Sequence, residues 1–330
     1  MRKKRIKIVF WGTSKFAENI LELLLKNDSF DVVAVVTRTD KLVGRKREIV
    51  SPIVKQMAEK SNITVLQPEK LDNDFETKLK KINTDIFVVA SYGKIIPKNI
   101  LDIPRHGSVN AHGSLLPKYR GASPIQTAIV NGEEKTGITL ILMDAGMDTG
   151  DILKQQEIEI YADDTYKTLL EKLSESGAKM LNDVLPVLVD GKIKSAKQDS
   201  AKATYTKILR SMDYEIDWNK SAKEIHNFVR GMYPNAYGTV WINNKGMRVK
   251  VALSNVGYDK NFKFFRPRRT SLKLAILNFQ NGTLFGYEKK LFVTCGKAES
   301  LEIKKIQMAG KNVISGKDFL NGQRDIKHMK

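Results

Sequence analysis

Two polar side chains, Asn110 and His112, lie in a stretch from 107 to 113 that alternates polar with small or apolar residues. This period of two predicts a β-strand with both side chains on one face. Farther along, an apolar run ends in the glycine-rich segment 144–151, which holds three aspartates. If the two strands are parallel neighbours, both polar clusters fall at the carboxyl edge of the sheet, where open parallel sheets bind ligands.

These residue types suit one kind of chemistry. An amide donor beside an imidazole stabilises a tetrahedral oxyanion, and a nearby carboxylate orients the imidazole or accepts a proton. Asn110, His112 and one of the aspartates therefore indicate acyl-type transfer. The same spacing also fits a strand-end histidine held by a backbone carbonyl, with loop aspartates that cap turns. Spacing alone leaves both interpretations open, but a serine hydrolase is excluded because Ser114 is not in a GxSxG turn.

Two long motifs add a resemblance. The segment NAHGSLLPKYRGASPIQ at 110–126, followed by MDAGMDTG at 143–150, resembles the signature of the 10-formyltetrahydrofolate-dependent formyltransferases. The resemblance implies 10-formyltetrahydrofolate as the formyl donor and a catalytic triad of Asn110, His112 and Asp148. It also implies that the folate contacts a turn made of four consecutive residues, Ser114, Leu115, Leu116 and Pro117.

The order of apolar runs predicts the architecture. Ile6 begins a βαβ pattern, and strands continue to alternate with helices, which predicts an α/β fold with a doubly wound, mostly parallel sheet. A GxGxxG turn does not occur, so the pattern does not indicate dinucleotide binding. Ser51 and Pro52 fit an N-cap and a first helical position. Residues 165–189 predict a long helix whose end Pro186 should disturb.

The second half of the chain has a different pattern. Periodicity is lost at 192–204, and we expect a catalytic domain at 1–190, a linker at 191–208 and a C-terminal domain at 209–330. Beyond Trp218 and a helix near 222–232, five short strands separated by turns predict a small β-barrel, which the resemblance identifies as OB-like. The predicted strands are 238–242, 248–256, 272–279, 290–295 and 300–308.

The net charge of +19 is distributed unevenly. Residues 1–60 carry +7, residues 61–190 carry −5, and residues 191–330 carry +17. Positive charge on both sides of the candidate catalytic segment suggests a long polyanion that brings a reactive end to the site.

Two basic segments are candidates for contact with such a polyanion. Segment 38–47 has five basic residues and one acid, and the resemblance implies an inserted loop here that grips the acceptor arm of a tRNA; the prolines usual in that loop are missing. Segment 260–269 interleaves aromatic and basic side chains. A solvated loop and a hairpin packed on the barrel are the alternatives. The expected tRNA-binding residues are Arg38, Lys41, Arg45, Lys46, Arg47, Arg266, Arg268 and Arg269.

The cysteine and histidine content indicates whether disulfides or a metal site are expected. Cys295 is the sole cysteine, and the four histidines have no metal-ligand spacing, so we expect no disulfide and no metal. The sequence contains neither an h-region of a signal peptide nor a membrane-spanning run, and we expect a cytoplasmic location. The partners expected are folate and charged initiator tRNA, with no membrane contact, for a chain that acts as a monomer.

Three hypotheses on function remain. The first, implied by the resemblance, is transfer of a formyl group to the amine of a charged initiator tRNA. The second is a formyltransferase for a small amine, either an amino-sugar nucleotide or glycinamide ribonucleotide, although a small substrate gives no reason for a basic second domain. The third is a non-catalytic RNA-binding protein, which an intact Asn110, His112 and Asp148 argue against.

Overall fold

The computed structural model describes residues 5–43, 47–255, 279–323 and 325–329 of the chain. The chain folds into two compact units. The first unit consists of Met1–Pro124, Lys135–Glu159 and Thr168–Ile208, and the second of Ile125–Glu134, Ile160–Lys167 and Leu209–Lys330.

Alternating strands and helices build the first part of the chain. In chain order they are β1 (Ile6–Gly12), α1 (Lys15–Leu25), β2 (Phe30–Val36), β3 (Lys41–Val43), β4 (Glu48–Val50), α2 (Ile53–Lys60), β5 (Thr64–Leu66), α3 (Asn73–Lys80), β6 (Ile86–Ala90), α4 (Lys98–Leu101), β7 (Ser108–His112), β8 (Arg120–Gly121), α5 (Pro124–Val130), β9 (Lys135–Leu142), β10 (Asp151–Glu159), α6 (Tyr166–Val189) and β11 (Tyr205–Thr206).

The main sheet has the order β10-β9-β7-β6-β1-β2-β5, and the five strands from β7 to β5 are mutually parallel. Its central strands are apolar and buried, as in sheets covered on both faces. One face packs on α3 and α4 through Phe75 and Ile100. On the other face α6 approaches the sheet at Gly177, close to Ile20 and Ile138. The predicted doubly wound, mostly parallel α/β fold is confirmed.

The direction of β9 differs from the sequence-based prediction. β9 pairs with β7 in antiparallel register, with His112 opposite Thr139 and Asn110 opposite Ile141. The expectation of two parallel neighbours was therefore wrong. Because His112 at the carboxyl end of β7 lies opposite the earlier part of β9, β9 enters from that end and runs back. An apolar run that is buried on both faces has the same pattern in either direction, and so the sequence did not reveal this.

The basic segment 38–47 also departs from the expectation of a plain loop. Lys41–Val43 within the segment forms β3, which pairs in antiparallel register with β4 just after it. The predicted N-cap at Ser51 is wrong, because α2 begins at Ile53 with Pro52 as the N-cap residue and without a side-chain cap. Pro52 has φ −53° and ψ 139°, and its carbonyl accepts the first hydrogen bond of the helix, from Gln56 N.

The long helix α6 is confirmed, and Pro186 does not end it. The proline lacks one hydrogen-bond donor, but Asp190 N donates to the Pro186 carbonyl and closes the final turn. The following segment, which we expected to be a linker, contains a short 3-10 helix and the strand β11, which pairs with β8 in the first unit. No helix in the described ranges is long and apolar enough to cross a membrane.

Helices and a curled, mostly antiparallel sheet build the part of the second unit that follows residue 209. The α-helices and strands described there are, in chain order, α7 (Ala222–Gly231), β12 (Tyr237–Ile242), β13 (Lys245–Asn255), β14 (Leu284–Tyr287), β15 (Lys290–Cys295), β16 (Glu299–Met308), β17 (Ile314–Ser315), α8 (Gly316–Gly322) and β18 (His328–Met329). The path runs β12-β13-β16-β15-β14-β18, around a core that includes Trp218, Val251 and Phe319. This half-barrel agrees with the predicted OB-like fold.

A tight turn at Asn243 and Asn244 joins β12 to β13, and both residues have positive φ, 47° and 63°, as a two-residue hairpin requires. Four of the five predicted strands correspond to β12, β13, β15 and β16, while β14 was not predicted. The predicted strand 272–279 lies outside the described residues except for Phe279.

A capping box begins α7, because Ser221 Oγ accepts from Glu224 N and Ser221 N donates to the Glu224 carboxylate. This helix carries His226, whose Nδ1 lies 3.0 Å from Ser254 Oγ. Burial, together with the nearby charge of Arg230, lowers the pKa of His226 to about 4. The fold therefore holds this imidazole in its neutral form.

This shift predicts acid sensitivity of the second unit. The unfolded state binds a proton at His226 below about pH 6.5, but the folded state does so only near pH 4. The free energy of unfolding is therefore unaffected by His226 above pH 6.5. It decreases as pH falls from 6.5 to 4, by up to about 1.4 kcal/mol per pH unit. His226→Gln, which cannot be protonated, should have a shallower acid slope in urea unfolding. His106→Gln is the control, and equal slopes for wild type and His226→Gln would contradict the prediction.

Candidate active site

The carboxylate of Asp148 joins the two polar side chains of β7. Asn110 Nδ2 donates to Asp148 Oδ1 at 3.3 Å, and His112 Nδ1 lies 3.6 Å from Asp148 Oδ2, within ion-pair distance. The backbone N–H of Gly121 donates to the same Oδ2 at 2.8 Å. The three residues selected from the sequence therefore converge, and of the three loop aspartates Asp148 is the one that contacts β7.

Strand geometry explains why Asn110 and His112 act together. They are two residues apart on β7, so their side chains leave the same face of the sheet. Asn110 is 8% exposed and His112 is 6% exposed, so only an edge of each group is open to a reactant. Ser108, one period earlier, is not part of this group, because its hydroxyl donates to the Leu101 carbonyl in the interior.

The loop between β9 and β10 brings Asp148 to this face. Asp148 has a φ of 55°, in the left-handed region that asparagine and aspartate tolerate better than most residues. Gly150 follows, and a Cβ there would lie 2.0 Å from the Leu142 carbonyl, so only glycine fits. Asp144 accepts from Gly146 N and from Thr149 Oγ1, which is the turn-capping role that the alternative interpretation assigned to the loop aspartates.

The second nitrogen of His112 is held by the main chain. Nε2 lies 2.9 Å from the Tyr119 carbonyl, and because a carbonyl only accepts, this nitrogen carries a hydrogen. Nδ1, on the other side of the ring, faces the Asp148 carboxylate. The backbone contact of the alternative interpretation is thus present as well, and it fixes the orientation of the ring.

Side chains of β9 and β10 hold the predicted folate turn, Ser114 to Pro117, through hydrogen bonds. Thr139 Oγ1 accepts from Leu116 N and donates to the Ser114 carbonyl, and Gln155 Nε2 donates to the Leu116 carbonyl at 2.7 Å. Ser114 and Leu116 are buried, while Leu115 and Pro117 are partly exposed. The main-chain carbonyls of the turn all accept hydrogen bonds within the protein, so the turn offers a ligand chiefly the side chains of Leu115 and Pro117.

Two residues close to Asp148 were not selected from the sequence. Arg120 is almost fully buried at 2% exposure, and it contacts Gln198. Gln198 Nε2 donates to the main-chain carbonyls of Asp148 and Gly150, each at 2.8 Å. Arg120 belongs to the long motif, but Gln198 lies in a stretch without periodicity, which carries no signal for this contact.

The basic residues expected to contact tRNA fall into three groups. Arg38 is partly buried next to Gly93, at the carboxyl end of the parallel strands. Lys41 and Arg47 lie exposed on the β3–β4 hairpin. The other expected contacts lie outside the described residues, namely Arg45, Lys46, Arg266, Arg268 and Arg269.

A salt bridge anchors the start of this hairpin. Lys55 Nζ lies 2.8 Å from Asp40 Oδ2, and Gln67 Nε2 donates to Asp40 Oδ1. The hydrogen bonds from Gln67 and Lys55 lower the pKa of the Asp40 carboxyl. Nearby, burial raises the pKa of Tyr92 to about 12, against the opposing charge of Arg38, so this phenol stays neutral at physiological pH.

The arrangement has the parts needed for addition to an acyl carbon. One amide hydrogen of Asn110 contacts Asp148, and the second is available to a developing oxyanion. The imidazole and the carboxylate form a pair that can accept and pass on a proton. In the part of the chain that the structure describes, no three His, Cys, Asp or Glu residues are grouped as metal ligands.

Comparison with family models agrees with this geometry. Residues 4–185 match the model described as formyl transferase, and residues 208–324 match the model described as formyl transferase, C-terminal domain. Among solved structures, a sugar 3N-formyl transferase has a TM-score of 0.60 at 22% identity and covers 94% of this chain and 100% of its own. An N-formyltransferase from Helicobacter canadensis has a TM-score of 0.60 at 20% identity, with 92% and 99% covered.

Sequence relatives extend over nearly the whole chain. The methionyl-tRNA formyltransferase of Caldicellulosiruptor saccharolyticus is 40% identical over 321 residues, which is 96% of this chain and 97% of that protein. The methionyl-tRNA formyltransferase of a Hydrogenobaculum species is 42% identical over 317 residues, with 96% and 97% covered. Matches to both domain models, and identity of this extent over both domains, show that the chain belongs to the formyl transferase family.

Proposed function

We propose that this protein transfers the formyl group of 10-formyltetrahydrofolate to the amino group of methionyl-initiator tRNA. The carrying observation is the convergence of Asn110, His112 and Asp148 in a chain that is about 40% identical, end to end, to methionyl-tRNA formyltransferases. The product is formylmethionyl-tRNA for translation initiation. The proposed domain boundaries are 1–190, 191–208 and 209–330.

The proposed reaction begins when the methionine amine attacks the formyl carbon. The formyl oxygen gains negative charge and accepts hydrogen bonds from Asn110 and His112. His112 Nε2 is bonded to the Tyr119 carbonyl, so the oxyanion has to compete with that carbonyl for the hydrogen. Asp148 holds the charge state of His112 and assists removal of the amine proton. The intermediate then collapses, the bond to folate N10 breaks, and N10 takes up a proton.

We assign the folate to the turn Ser114, Leu115, Leu116 and Pro117. Because Thr139 and Gln155 fix the turn, its two partly exposed side chains, Leu115 and Pro117, are preorganised to contact the flat pterin ring. Such preorganisation reduces the entropy lost on binding.

The charge distribution favours tRNA over a small amine as the acceptor. Residues 191–330 carry +17, which a small nucleotide does not require but a polyphosphate backbone does. We assign tRNA contact to Arg38, Lys41, Arg45, Lys46 and Arg47 near the first strands. To the second domain we assign the contacts of Arg266, Arg268 and Arg269.

We further infer that the protein acts as a monomer in the cytoplasm. The substrate is found there, and the single cysteine is consistent with a reducing compartment. Sedimentation of the protein with and without tRNA tests the oligomeric state.

Incubation with 10-formyltetrahydrofolate and charged initiator tRNA should yield formylmethionine, and the triad variants should not. Asp148→Asn keeps the size of the side chain but removes its charge, so it should abolish most turnover with tRNA affinity nearly unchanged. Asn110→Ala removes one oxyanion donor and should raise the barrier by about 3 kcal/mol. Asp144→Asn, in the same loop, is the charge-matched comparison. Near-normal turnover in either triad variant would refute the assignment.

Arg45→Ala should weaken productive use of charged tRNA, because the residue is assigned to a phosphate contact. Folate affinity, measured by calorimetry, should stay as it is in the wild type. Lys60→Ala, which removes an exposed positive charge from the end of α2, is the control. Equal loss of tRNA use and of folate affinity in Arg45→Ala would show that the segment has a structural role instead.

Affinity for tRNA should fall steeply with salt, with each neutralised phosphate contributing a slope of about −0.7 to −0.9 in log affinity against log salt. Combined replacement of Arg266, Arg268 and Arg269 by alanine should make this slope shallower. Replacement of Phe264 and Phe265 by leucine distinguishes two alternatives. Lost base stacking weakens binding at every salt concentration, whereas lost core packing lowers the melting temperature and leaves binding intact. A wild-type affinity that barely responds to salt would contradict the assignment.

A further inference from the structure

Arg120 is a charged side chain in the interior of the first unit, and its partners are neutral. Nη2 and Nε donate to Gln198 Oε1 at 2.8 and 3.2 Å. Nη1 lies 3.4 Å from the Tyr205 hydroxyl, and Nη2 lies 3.5 Å from the Ser200 hydroxyl. A guanidinium buried at this depth carries a large desolvation cost, so its hydrogen bonds are strong constraints on the groups that accept them.

This constraint fixes the orientation of the Gln198 amide. Arginine only donates, so the oxygen of the amide has to face Arg120 and its nitrogen has to point the other way. The two acceptors found there are the carbonyls of Asp148 and Gly150, each 2.8 Å from Nε2. A flipped amide would place an oxygen against two carbonyls and a nitrogen against a cation, so chemistry alone excludes it.

The two carbonyls belong to the part of the loop with a strained backbone. Asp148 has a φ of 55°, and residues in this region cost conformational energy unless their surroundings impose it. Gly121 N, next to Arg120 in the chain, donates to the carboxylate of Asp148. Gln198 therefore holds the main chain of Asp148, and the strand that contains Arg120 holds its side chain.

We infer that Gln198, oriented by Arg120, is a positioning residue that sets the main chain of Asp148 and so the placement of its carboxylate against Asn110 and His112. The inference rests on the proposed function, because it assigns a catalytic role to Asp148. It extends the site to residues 120 and 198, on opposite sides of the catalytic loop in sequence.

A purely structural role makes a different prediction for one substitution. If Gln198 serves only to satisfy the buried guanidinium, then Gln198→Glu should be equal or better, since a carboxylate accepts from arginine more strongly than an amide does. If Gln198 positions Asp148, the same change is harmful, because a carboxylate has no hydrogen to donate to the two carbonyls. Stability and turnover should therefore separate in this variant.

The experiment compares formyl transfer and thermal unfolding in Gln198→Glu, Gln198→Met and wild type. We expect kcat to fall about 10- to 100-fold in both variants, as for a displacement near 1 Å in a catalytic group. The KM values for tRNA and folate should stay within about twofold, because uniform binding is not affected. In Gln198→Glu the charged bond to Arg120 should offset the lost bonds to the two carbonyls, so the melting temperature should stay that of the wild type. Gln198→Met loses both sets of bonds and should have a lower melting temperature. Gln156→Glu, an equal charge change at an exposed position on β10, should retain wild-type kcat.

A wild-type kcat in Gln198→Glu would overturn the inference. A lower kcat in Gln198→Glu together with a melting temperature as low as that of Gln198→Met would also overturn it. Gln198→Met keeps the test valid if the glutamate variant does not fold, since wild-type kcat in Gln198→Met would also overturn it. Failure of the proposed function has a different signature, namely absence of formyl transfer in the wild type itself.

Discussion

The carboxylate of Asp148 is the group on which the rest of the candidate site depends. It accepts from Asn110 Nδ2 and from Gly121 N, and it faces His112 Nδ1. These donors are 27 to 38 residues away in sequence, so the contacts form only after the sheet and the connecting segments have folded. The proposed activity thus depends on correct folding of the whole first unit. A substitution in the core of this unit can reduce turnover without contacting the triad.

The antiparallel direction of β9 determines how this contact is made. In a fully parallel sheet, the loops after neighbouring strands meet at one edge, which is where such folds bind ligands. Here Asn110 is opposite Ile141, and the loop after β9 starts near the beginning of β7 and returns along it. The return requires the left-handed backbone of Asp148 and the close approach of Gly150 to Leu142. Strain and glycine therefore occur where the chain departs from the regular topology.

The parts that sequence revealed are those with a local signal. A period of two placed Asn110 and His112 on one face, and alternating apolar runs predicted the sheet and the half-barrel. The direction of β9 had no such signal, because a buried strand has the same pattern both ways. Gln198 was missed for a related reason, since its role comes from a contact with a residue 78 positions away, in a segment without periodicity. The N-cap at Ser51 failed because the proline itself introduced the helix.

The charges of the chain constrain how the proposed substrates reach the site. Residues 61–190 carry −5, and the site contains Asp148 with Asp144 in the same loop, so this segment repels a phosphate backbone. Screening limits such forces to about 8 Å at physiological ionic strength, so attraction has to come from basic residues that touch the RNA themselves. Only the aminoacyl end, which carries an amine, needs to approach the carboxylate. Binding of the RNA backbone and catalysis are thereby assigned to different residues. A polyanionic substrate can then react at a site that itself carries negative charge.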